Sequence, residues 1–251
     1  MMLAPRVIPC LDVNDGRVVK GIRFANLRDA GDPAEAAAEY ERQGADEIVI
    51  LDISATPQGR ANAVATVRAV RSVLTIPLTV GGGIRTADDA GRLLANGADR
   101  VAVNTAAVER PQLIAEIAER FGAQCAVVSI DASRRDGGWE VLTHSGTNRT
   151  GLDAGTWAQT CAQLGAGELL VTSWDRDGTR DGYDTDLLAA IAAKVTIPII
   201  ASGGAGAASD LVEAMDAGAS AVLVASLLHD RELTVADLKA EMADRGWEVR
   251  R

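Results

Sequence analysis

Eight short runs of apolar residues recur along the chain, and each has the length of a β-strand. Their apolarity is continuous rather than alternating, which is typical of strands covered on both faces. Ala-rich amphipathic stretches lie between them, such as 33–44 and 111–122, which begin with proline and end with glycine as helices often do. The runs are VIPCLDV (7–13), EIVILD (47–52), IPLTV (76–80), RVAVN (100–104), CAVVSID (125–131), ELLVTS (168–173), IPIIAS (197–202) and AVLVAS (221–226).

Strands that alternate with helices indicate a parallel α/β fold, and eight strands are the number that closes a TIM barrel. An open doubly wound sheet is the alternative. The length of 251 residues suits a single (β/α)8 barrel, although two small domains would also fit. We expect one barrel domain over residues 1–251.

An internal repeat favours the barrel. Its spacing is 121 residues, the separation of Gly44 from Gly165. The same shift relates Ile76-Pro77 to Ile197-Pro198, Gly82-Gly83 to Gly203-Gly204, and Gly97-Ala98 to Gly218-Ala219. The repeat predicts two duplicated half-barrels of four strands, with equivalent strands opposite each other. Two insertions, 14–32 and 132–151, follow the first and fifth strands and carry the turn signals of hairpins, on the face where barrel enzymes hold substrate.

Composition excludes several classes of function. The net charge of −10 and the aromatic content of 3% argue against broad nucleic-acid binding. The chain has neither an apolar leader nor an apolar stretch of ~18 residues that could span a membrane. Cys10, Cys125 and Cys161 are widely spaced, which favours reduced thiols in a cytoplasmic protein. We expect Cys10 and Cys125 to pack in the core.

Two glycine-rich stretches, VGGGIR (80–85) and ASGGAG (201–206), occupy equivalent positions in the halves. Each is followed one helix later by small polar residues, Asn104-Thr105 and Ala225-Ser226. Backbone N–H groups of glycine loops and helix N-termini can bind phosphate. Two such sites on opposite sides predict a ligand with a phosphate at each end. The alternative is that the glycines only form tight turns.

Asp12 and Asp131 end the first and fifth strands, which the repeat makes equivalent. Two opposed carboxyl groups can serve as acid and base on a substrate between them. The alternative role is helix capping or turn formation. Further polar residues belong to the same face of the barrel, and Lys20 among them is a candidate phosphate contact or simply a solvated lysine. The others are Asp52, Ser173, Asp175, Asp177 and Thr179.

The chain contains neither a GxxxxGK[ST] phosphate loop nor a strand–GxGxxG–helix fingerprint, so ATP hydrolysis and dinucleotide redox chemistry have no support. His144 and His229 belong to no ligand motif, so we expect no metal site. We expect no cofactor.

Six stretches of the chain form a recognisable set of motifs. They are PCLDVNDGRVVKG (9–21), TVGGGIR (79–85), ADRVAVNTAAV (98–108), SIDASR (129–134), TSWDRDGTRDGYD (172–184) and IIASGGAG (199–206). The CLDV…GRVVKG and DRDGT..GYD combinations are the most specific. Together these stretches resemble the cyclase subunits of imidazole glycerol phosphate synthases, and the resemblance covers essentially the whole chain.

The resemblance implies a reaction and a set of residues. Ammonia attacks the ketone of the ribulosyl part of a bisphosphate substrate, and ring closure gives imidazole glycerol phosphate and aminoimidazole carboxamide ribonucleotide. Asp12 and Asp131 match the acid–base pair of the family, and Lys20 matches a loop lysine that helps to hold substrate. One phosphate grip matches Gly83, Asn104 and Thr105, and the other matches Asp177, Gly178, Gly204 and Ser226.

The resemblance also implies a glutaminase partner that docks on the N-terminal face of the barrel as a heterodimer and supplies ammonia. Arg6, Glu47, Arg100 and Glu168 match the charged gate of the family, with Arg100 in place of an expected lysine. The sister isomerase of histidine biosynthesis, which has the same doubled barrel, is the alternative enzyme. A noncatalytic barrel that binds a phosphoribosyl ligand is a third possibility.

Overall fold

The computed structural model describes residues 4–22, 25–55 and 64–250. Within these ranges, strands and helices alternate around the barrel. The strands are β1 (Arg6–Asn14), β2 (Arg17–Ile22), β3 (Ala25–Gly31), β4 (Ile48–Asp52), β5 (Leu78–Gly81), β6 (Arg100–Val103), β7 (Ala126–Arg135), β8 (Gly138–Thr143), β9 (Asn148–Asp153), β10 (Glu168–Ser173), β11 (Ile199–Ser202) and β12 (Ala221–Val224). The helices are α1 (Pro33–Arg42), α2 (Val64–Arg71), α3 (Ala87–Leu94), α4 (Thr105–Glu109), α5 (Gln112–Phe121), α6 (Ala154–Gln163), α7 (Thr185–Ala192), α8 (Ala208–Asp216), α9 (Ser226–His229) and α10 (Val235–Asp244).

Eight parallel strands close into a barrel in the order β1-β4-β5-β6-β7-β10-β11-β12, and β12 pairs with β1. The pairing of β7 with β10 joins the two halves. This closure confirms the predicted (β/α)8 barrel, and the open doubly wound sheet is wrong. β5 and β11 begin two residues later than the apolar runs, after Pro77 and Pro198, because proline has no N–H for a strand ladder. The carbonyls of those prolines accept from Ile48 N at 2.9 Å and from Leu169 N at 3.0 Å, a pair of equivalent bonds 121 residues apart.

Both insertions form antiparallel hairpins at the C-terminal ends of their strands. β2 and β3 extend from β1, and the tight turn at Asp15-Gly16 has positive φ at both residues, 51° and 76°. β8 and β9 extend from β7, which runs to Arg135 rather than ending at Asp131 because it continues into the hairpin. The predicted face of both insertions is therefore confirmed.

Side chains that point into the barrel form layers along its axis. On β1, residues two apart share the inner face, and Arg6, Ile8, Cys10 and Asp12 run from the N-terminal to the C-terminal end. Ile8 and Cys10 belong to a small apolar cluster inside the sheet, separate from the larger core between the sheet and the helices. Cys10 is buried as expected, whereas Cys125 is only half-buried because it lies in the 3-10 turn that precedes β7. The interior thus has a charged lower layer, an apolar middle and a polar top.

The paired glycines sit where loops leave the strands and approach the ends of their neighbours. Gly82 has φ of 93°, and a Cβ there would collide with the Asp52 carbonyl at the end of β4. Gly203, its repeat equivalent, has φ of 86°, and a Cβ would lie 2.7 Å from the Ser173 carbonyl oxygen at the end of β10. These glycines therefore have a packing role whatever else they bind, because both the conformation and the space exclude a side chain.

We expect Gly82→Ala to lower the free energy of unfolding by at least about 3 kcal/mol, because the added methyl group meets backbone and the φ is unfavourable. Gly151→Ala is the matched control, since Gly151 also has positive φ, 76°, but a Cβ there meets nothing within 4 Å. The control should lose only about 1–2 kcal/mol. Denaturant unfolding of both variants measures the difference, and equal losses would show that the Asp52 carbonyl does not constrain Gly82.

Candidate active site

A cavity opens at the C-terminal ends of the barrel strands, where both glycine stretches and the β8–β9 hairpin meet. It brings together nine of the candidate residues that the sequence identified. These are Asp12, Gly83, Asn104, Thr105, Asp131, Asp177, Gly178, Gly204 and Ser226. Asp52 lines the cavity as well. The arrangement places a carboxyl pair between two glycine-lined corners, as the sequence predicts.

Asp12 and Asp131 reach the cavity from strands that lie opposite each other. Four steps of strand pairing separate β1 from β7 in either direction around the barrel. Both carboxyl groups line the same cavity, and each lies within electrostatic reach of Asp177. The alternative role of Asp12 and Asp131, helix capping or turn formation, does not account for the position of both side chains in one cavity.

Burial raises the pKa of both carboxyl groups, and nearby negative charge raises it further. For Asp12, burial is followed by the charge of Asp177, and the pKa reaches about 7. For Asp131, burial and Asp177 again raise the pKa to about 7, although hydrogen bonds from Asn104, Thr172 and Ser129 oppose the shift. The two groups line one cavity, and the charge of Asp131 is a further, smaller cause of the raised pKa of Asp12. Near neutral pH the pair can therefore offer one proton donor and one proton acceptor.

Asn104 ties the carboxyl pair to the first corner. Its Nδ2 donates to Asp131 Oδ2 at 2.9 Å and, more weakly, to the Leu142 carbonyl at 3.4 Å. Its Oδ1 is buried and has no hydrogen-bond partner within the described chain. A buried acceptor without a donor is unfavourable, so a ligand N–H or O–H group would stabilise it.

The first corner consists of Gly82, Gly83 and the start of α4. Gly83 has φ of 69°, and Thr105 is the first residue of the helix. Thr105 Oγ1 accepts from the backbone N–H of His144 at 2.9 Å, which fixes the β8–β9 hairpin over this corner. The hydroxyl group can donate its own proton to a phosphate oxygen at the same time.

The second corner lies among the loop after β10, the loop after β11 and the start of α9. Gly182 N–H donates to the Gly204 carbonyl at 2.9 Å, and a Cβ on Gly204 would collide with the Gly182 carbonyl. Gly178 has φ of 73°, and Ser226 is the first residue of α9. The close packing of these two loops places Asp177, Gly178 and Gly204 at one edge of the cavity.

Lys20 does not line this cavity. Its ammonium group, on β2, forms a hydrogen-bonded ion pair with Asp230 just beyond α9. Its side chain is only 15% exposed, so it is not a solvated surface lysine. A direct contact with substrate remains a prediction.

The four candidate gate residues form a closed ring of ion pairs at the N-terminal end of the barrel. Arg6 and Arg100 each donate to both carboxylates, with 2.7 Å from either arginine to Glu47 Oε2 and 3.3 Å from Arg100 to Glu168 Oε2. Glu47 is fully buried and also accepts from Thr79 Oγ1 at 2.6 Å. The ring lies on the barrel axis below the apolar layer of Ile8.

Other polar residues of the upper face have structural roles. Asp175 accepts from Ser133 Oγ at 3.1 Å and from Arg134 N at 2.6 Å, so it holds β7 against the loop after β10. Ser173 donates to Asp184 at 3.4 Å, and Thr179 donates to the Arg176 carbonyl at 2.8 Å.

His144 and Ser145 line the cavity from the β8–β9 turn, although neither was predicted from the sequence as a site residue. Both have positive φ, 53° and 54°, and the HSGT turn within the predicted hairpin was the available signal. Arg180, which lines the cavity beside the second corner, was not predicted either.

Among the described residues, no three His, Cys, Asp or Glu side chains are grouped so that they could hold a metal ion. None of the described helices has the length and apolarity that a membrane span requires.

Comparisons with known proteins agree with this architecture. A family model described as histidine biosynthesis protein matches residues 6–234. Relatives from Mycobacteroides abscessus and Streptomyces griseus are 54% identical over 100% of both chains, and each is named imidazole glycerol phosphate synthase subunit HisF. A relative with the same name from Mycobacterium tuberculosis is 54% identical over 99% of this chain and 96% of its own length.

The raised pKa values predict that the carboxyl pair opposes folding at alkaline pH. The folded chain keeps these protons up to about pH 7, whereas an unfolded aspartate releases its proton near 3.8. The resulting loss in the free energy of unfolding is therefore complete above pH 7, and it disappears as the pH falls toward 4. Asp12→Asn or Asp131→Asn should raise the free energy of unfolding by about 1–3 kcal/mol at pH 8, with a smaller gain at pH 5.

Asp89→Asn is the control of opposite sign. Burial raises the pKa of Asp89, but hydrogen bonds from Arg85, Thr86 and Arg92 outweigh it and leave the pKa lowered. This variant should lose stability at pH 8. Denaturant unfolding between pH 5 and pH 8 measures all three variants. A loss of stability at pH 8 in both cavity variants would contradict the raised pKa values.

Proposed function

Because the chain belongs to the histidine biosynthesis protein family and is the cyclase subunit of an imidazole glycerol phosphate synthase, we propose that Asp12 and Asp131 are the acid–base pair of its reaction. The observation that carries this proposal is their position: they extend from opposite strands into one cavity, with pKa values near 7. The alternative enzyme, the sister isomerase, has less support, because the relatives at 54% identity are named as synthase subunits and not as isomerases.

The proposed chemistry needs several proton transfers at the middle of the substrate. Addition of ammonia to the ketone requires a proton at the carbonyl oxygen, and loss of that oxygen as water requires another. Ring closure and release of aminoimidazole carboxamide ribonucleotide then move protons at nitrogen. A carboxyl pair that shares its protons near pH 7 can donate from one side and accept on the other.

The two corners would bind the phosphates of a bisphosphate substrate. The first offers Gly83, Asn104 and Thr105, and the second offers Asp177, Gly178, Gly204 and Ser226. Glycine has no side chain, which lets a phosphate come close to the backbone in both corners, and Thr105 and Ser226 add hydroxyl donors at helix starts. Lys20 would add a charge once it contacts the ligand.

We also propose that a glutaminase subunit docks on the N-terminal face and that ammonia enters through the ring of Arg6, Glu47, Arg100 and Glu168. The synthase name of the relatives includes the word subunit, which fits an enzyme of more than one chain. The ring lies at the end of the barrel opposite the cavity, on its axis. We place this heterodimer in the cytoplasm, with the chain acting as a single barrel domain over 1–251, in keeping with its free thiols.

Asp12→Asn and Asp131→Asn should each lower kcat with ammonium salt and the bisphosphate substrate by at least about 100-fold, since each removes an acid–base group. The KM for the bisphosphate should change by less than about threefold, because the phosphate corners are untouched. Asp175→Asn is the control, since Asp175 binds Ser133 and Arg134 instead. Wild-type kcat in both cavity variants would exclude the acid–base role, whereas binding of the bisphosphate without turnover in wild type and in both variants would favour a binding barrel. Isomerised substrate without imidazole glycerol phosphate would favour the sister enzyme.

Arg100→Met should lower glutamine-driven turnover of the assembled complex several-fold while ammonium-driven turnover stays near wild type. The reason is that Arg100 bridges both glutamates of the ring, whereas free ammonia can also reach the open cavity directly. Arg100→Lys should retain most glutamine-driven turnover, because it keeps a cation between the glutamates. Equal effects on both ammonia sources would argue against passage through the ring.

A further inference from the structure

One carboxylate, Asp230, binds three cations from two different segments at the C-terminal end of the barrel. Lys20 comes from β2 and Arg28 from β3, and Arg180 comes from the loop between β10 and α7. The Arg28 contact is 3.2 Å long and its side chain is 68% exposed, so it is the weaker member. Lys20 and Arg180 are more buried, at 15% and 33% exposure. We call Lys20, Arg28 and Arg180 the rim cation cluster.

Hydrogen bonds of the neighbouring residue, His229, fix the position of Asp230. It directly follows α9, whose last residue His229 is nearly buried between β1 and α1. His229 Nδ1 lies 2.6 Å from the Tyr40 hydroxyl, and Nε2 lies 3.0 Å from the Cys10 carbonyl. Burial lowers the pKa of His229, so the ring is neutral, with Nε2–H donating to the carbonyl and Nδ1 accepting from Tyr40. The position of Asp230 is therefore fixed from the strand that carries Asp12.

Among the described residues, no ion pair joins the β2–β3 hairpin directly to the loop after β10, so Asp230 provides the link between them. The β2–β3 hairpin contains its own pair, Arg17 with Asp29 at 3.0 Å, but both side chains are more than half exposed, so this pair contributes little to the order of the hairpin. Asp230 thus connects Lys20 on the hairpin to Arg180 on the loop. A hydrogen bond from Lys20 is the main reason that the pKa of Asp230 is lowered, so the carboxylate remains ionised.

Arg180 connects the cluster to the second corner. It lines the cavity with Gly178, Gly204 and Ser226. Its guanidinium donates one hydrogen bond to Asp230 and one, at 2.8 Å, to Glu232. Three of the five guanidinium N–H groups take no part in these two bonds, and they suit a phosphate oxygen. The three cations outnumber the two carboxylates that they pair with, although Asp177 adds a negative charge at the second corner and the chain as a whole carries −10.

We propose that Asp230 is a positioning residue for the bisphosphate: it holds Lys20, which lies outside the cavity, beside Arg180 at the edge of the second corner, so that both cations are already together when a phosphate binds at Gly204 and Ser226. This inference rests on the proposed function, in which that corner and Lys20 hold one end of the substrate. Asp230 acts through the two cations and does not itself contact substrate.

Two opposing effects decide what removal of the carboxylate does. The cluster gains positive charge, which attracts a phosphate, but this long-range attraction is screened by salt over ~10 Å. The opposing effect is that Lys20 and Arg180 lose their common partner and repel each other. Substrate binding must then order the hairpin and the loop, and the entropy lost in this ordering weakens the affinity. We expect the loss of order to be the larger effect.

Asp230→Asn should therefore raise the KM for the bisphosphate about 5–20-fold at saturating ammonium salt, with kcat within about twofold. Asp230→Glu should have a KM close to that of wild type, because glutamate retains the negative charge that pairs with Lys20 and Arg180. Asp29→Asn is the matched control, since it removes a carboxylate that pairs with an arginine inside the same hairpin, and it should leave KM unchanged. In a Lys20→Met background, Asp230→Asn should have a smaller effect on KM, as expected for a residue that acts through Lys20.

Hydrogen exchange of residues 17–22 and 28–31 in the protein without substrate gives a second readout that does not depend on the reaction. Exchange should become faster in Asp230→Asn than in wild type and Asp29→Asn. An unchanged or lowered KM in Asp230→Asn would overturn the inference, and a lowered KM would mean that the carboxylate competes with phosphate for the cations. Unchanged exchange would overturn it too. A wild-type protein that does not turn over the bisphosphate would instead contradict the proposed function, and exchange would still test the link between Asp230 and the hairpin.

Discussion

Closure of the parallel sheet is the constraint on which the site depends. When β7 pairs with β10 over residues 127–132 and 168–173, the eight strands form a ring and the inner face of each strand is determined. Because side chains alternate between faces, Arg6, Ile8, Cys10 and Asp12 must follow one another along the axis. The charged ring, the apolar layer and the carboxyl group of Asp12 in the cavity are therefore consequences of one hydrogen-bonded register. A shift of one residue in β1 would turn all four side chains outward.

The upper end of the barrel favours chemistry over stability. Asp12 and Asp131 share one cavity with Asp177, an arrangement that opposes ionisation and raises the pKa of both. Within the described residues, the buried Oδ1 of Asn104 has no hydrogen-bond partner there. Such unfavourable groups persist because the closed sheet and the surrounding helices hold them in place, and the proposed substrate would supply the missing interactions.

Much of the fold could be predicted from the sequence, because its determinants are local or repeated. Continuous apolar runs indicated the barrel strands, and the correspondence of Gly82-Gly83 with Gly203-Gly204 indicated two half-barrels whose loops meet neighbouring strands in the same way. The positions of Asp12 and Asp131 followed from strand ends. Their assignment as catalytic groups came from the family resemblance together with the repeat. The ion pair of Lys20 with Asp230 could not be predicted, since the two residues are 210 positions apart and neither belongs to a repeated pattern. The place of His144 depends on a left-handed turn conformation that its residue type does not require.

A crystal structure of the protein with its bisphosphate substrate or a close analogue bound would locate both phosphates and the reacting carbons. We expect one phosphate against Gly83 and Thr105, the other against Gly204 and Ser226, and the reacting carbons between the carboxyl groups of Asp12 and Asp131. Both phosphates at one corner, or a ligand whose middle lies out of reach of either aspartate, would contradict this arrangement.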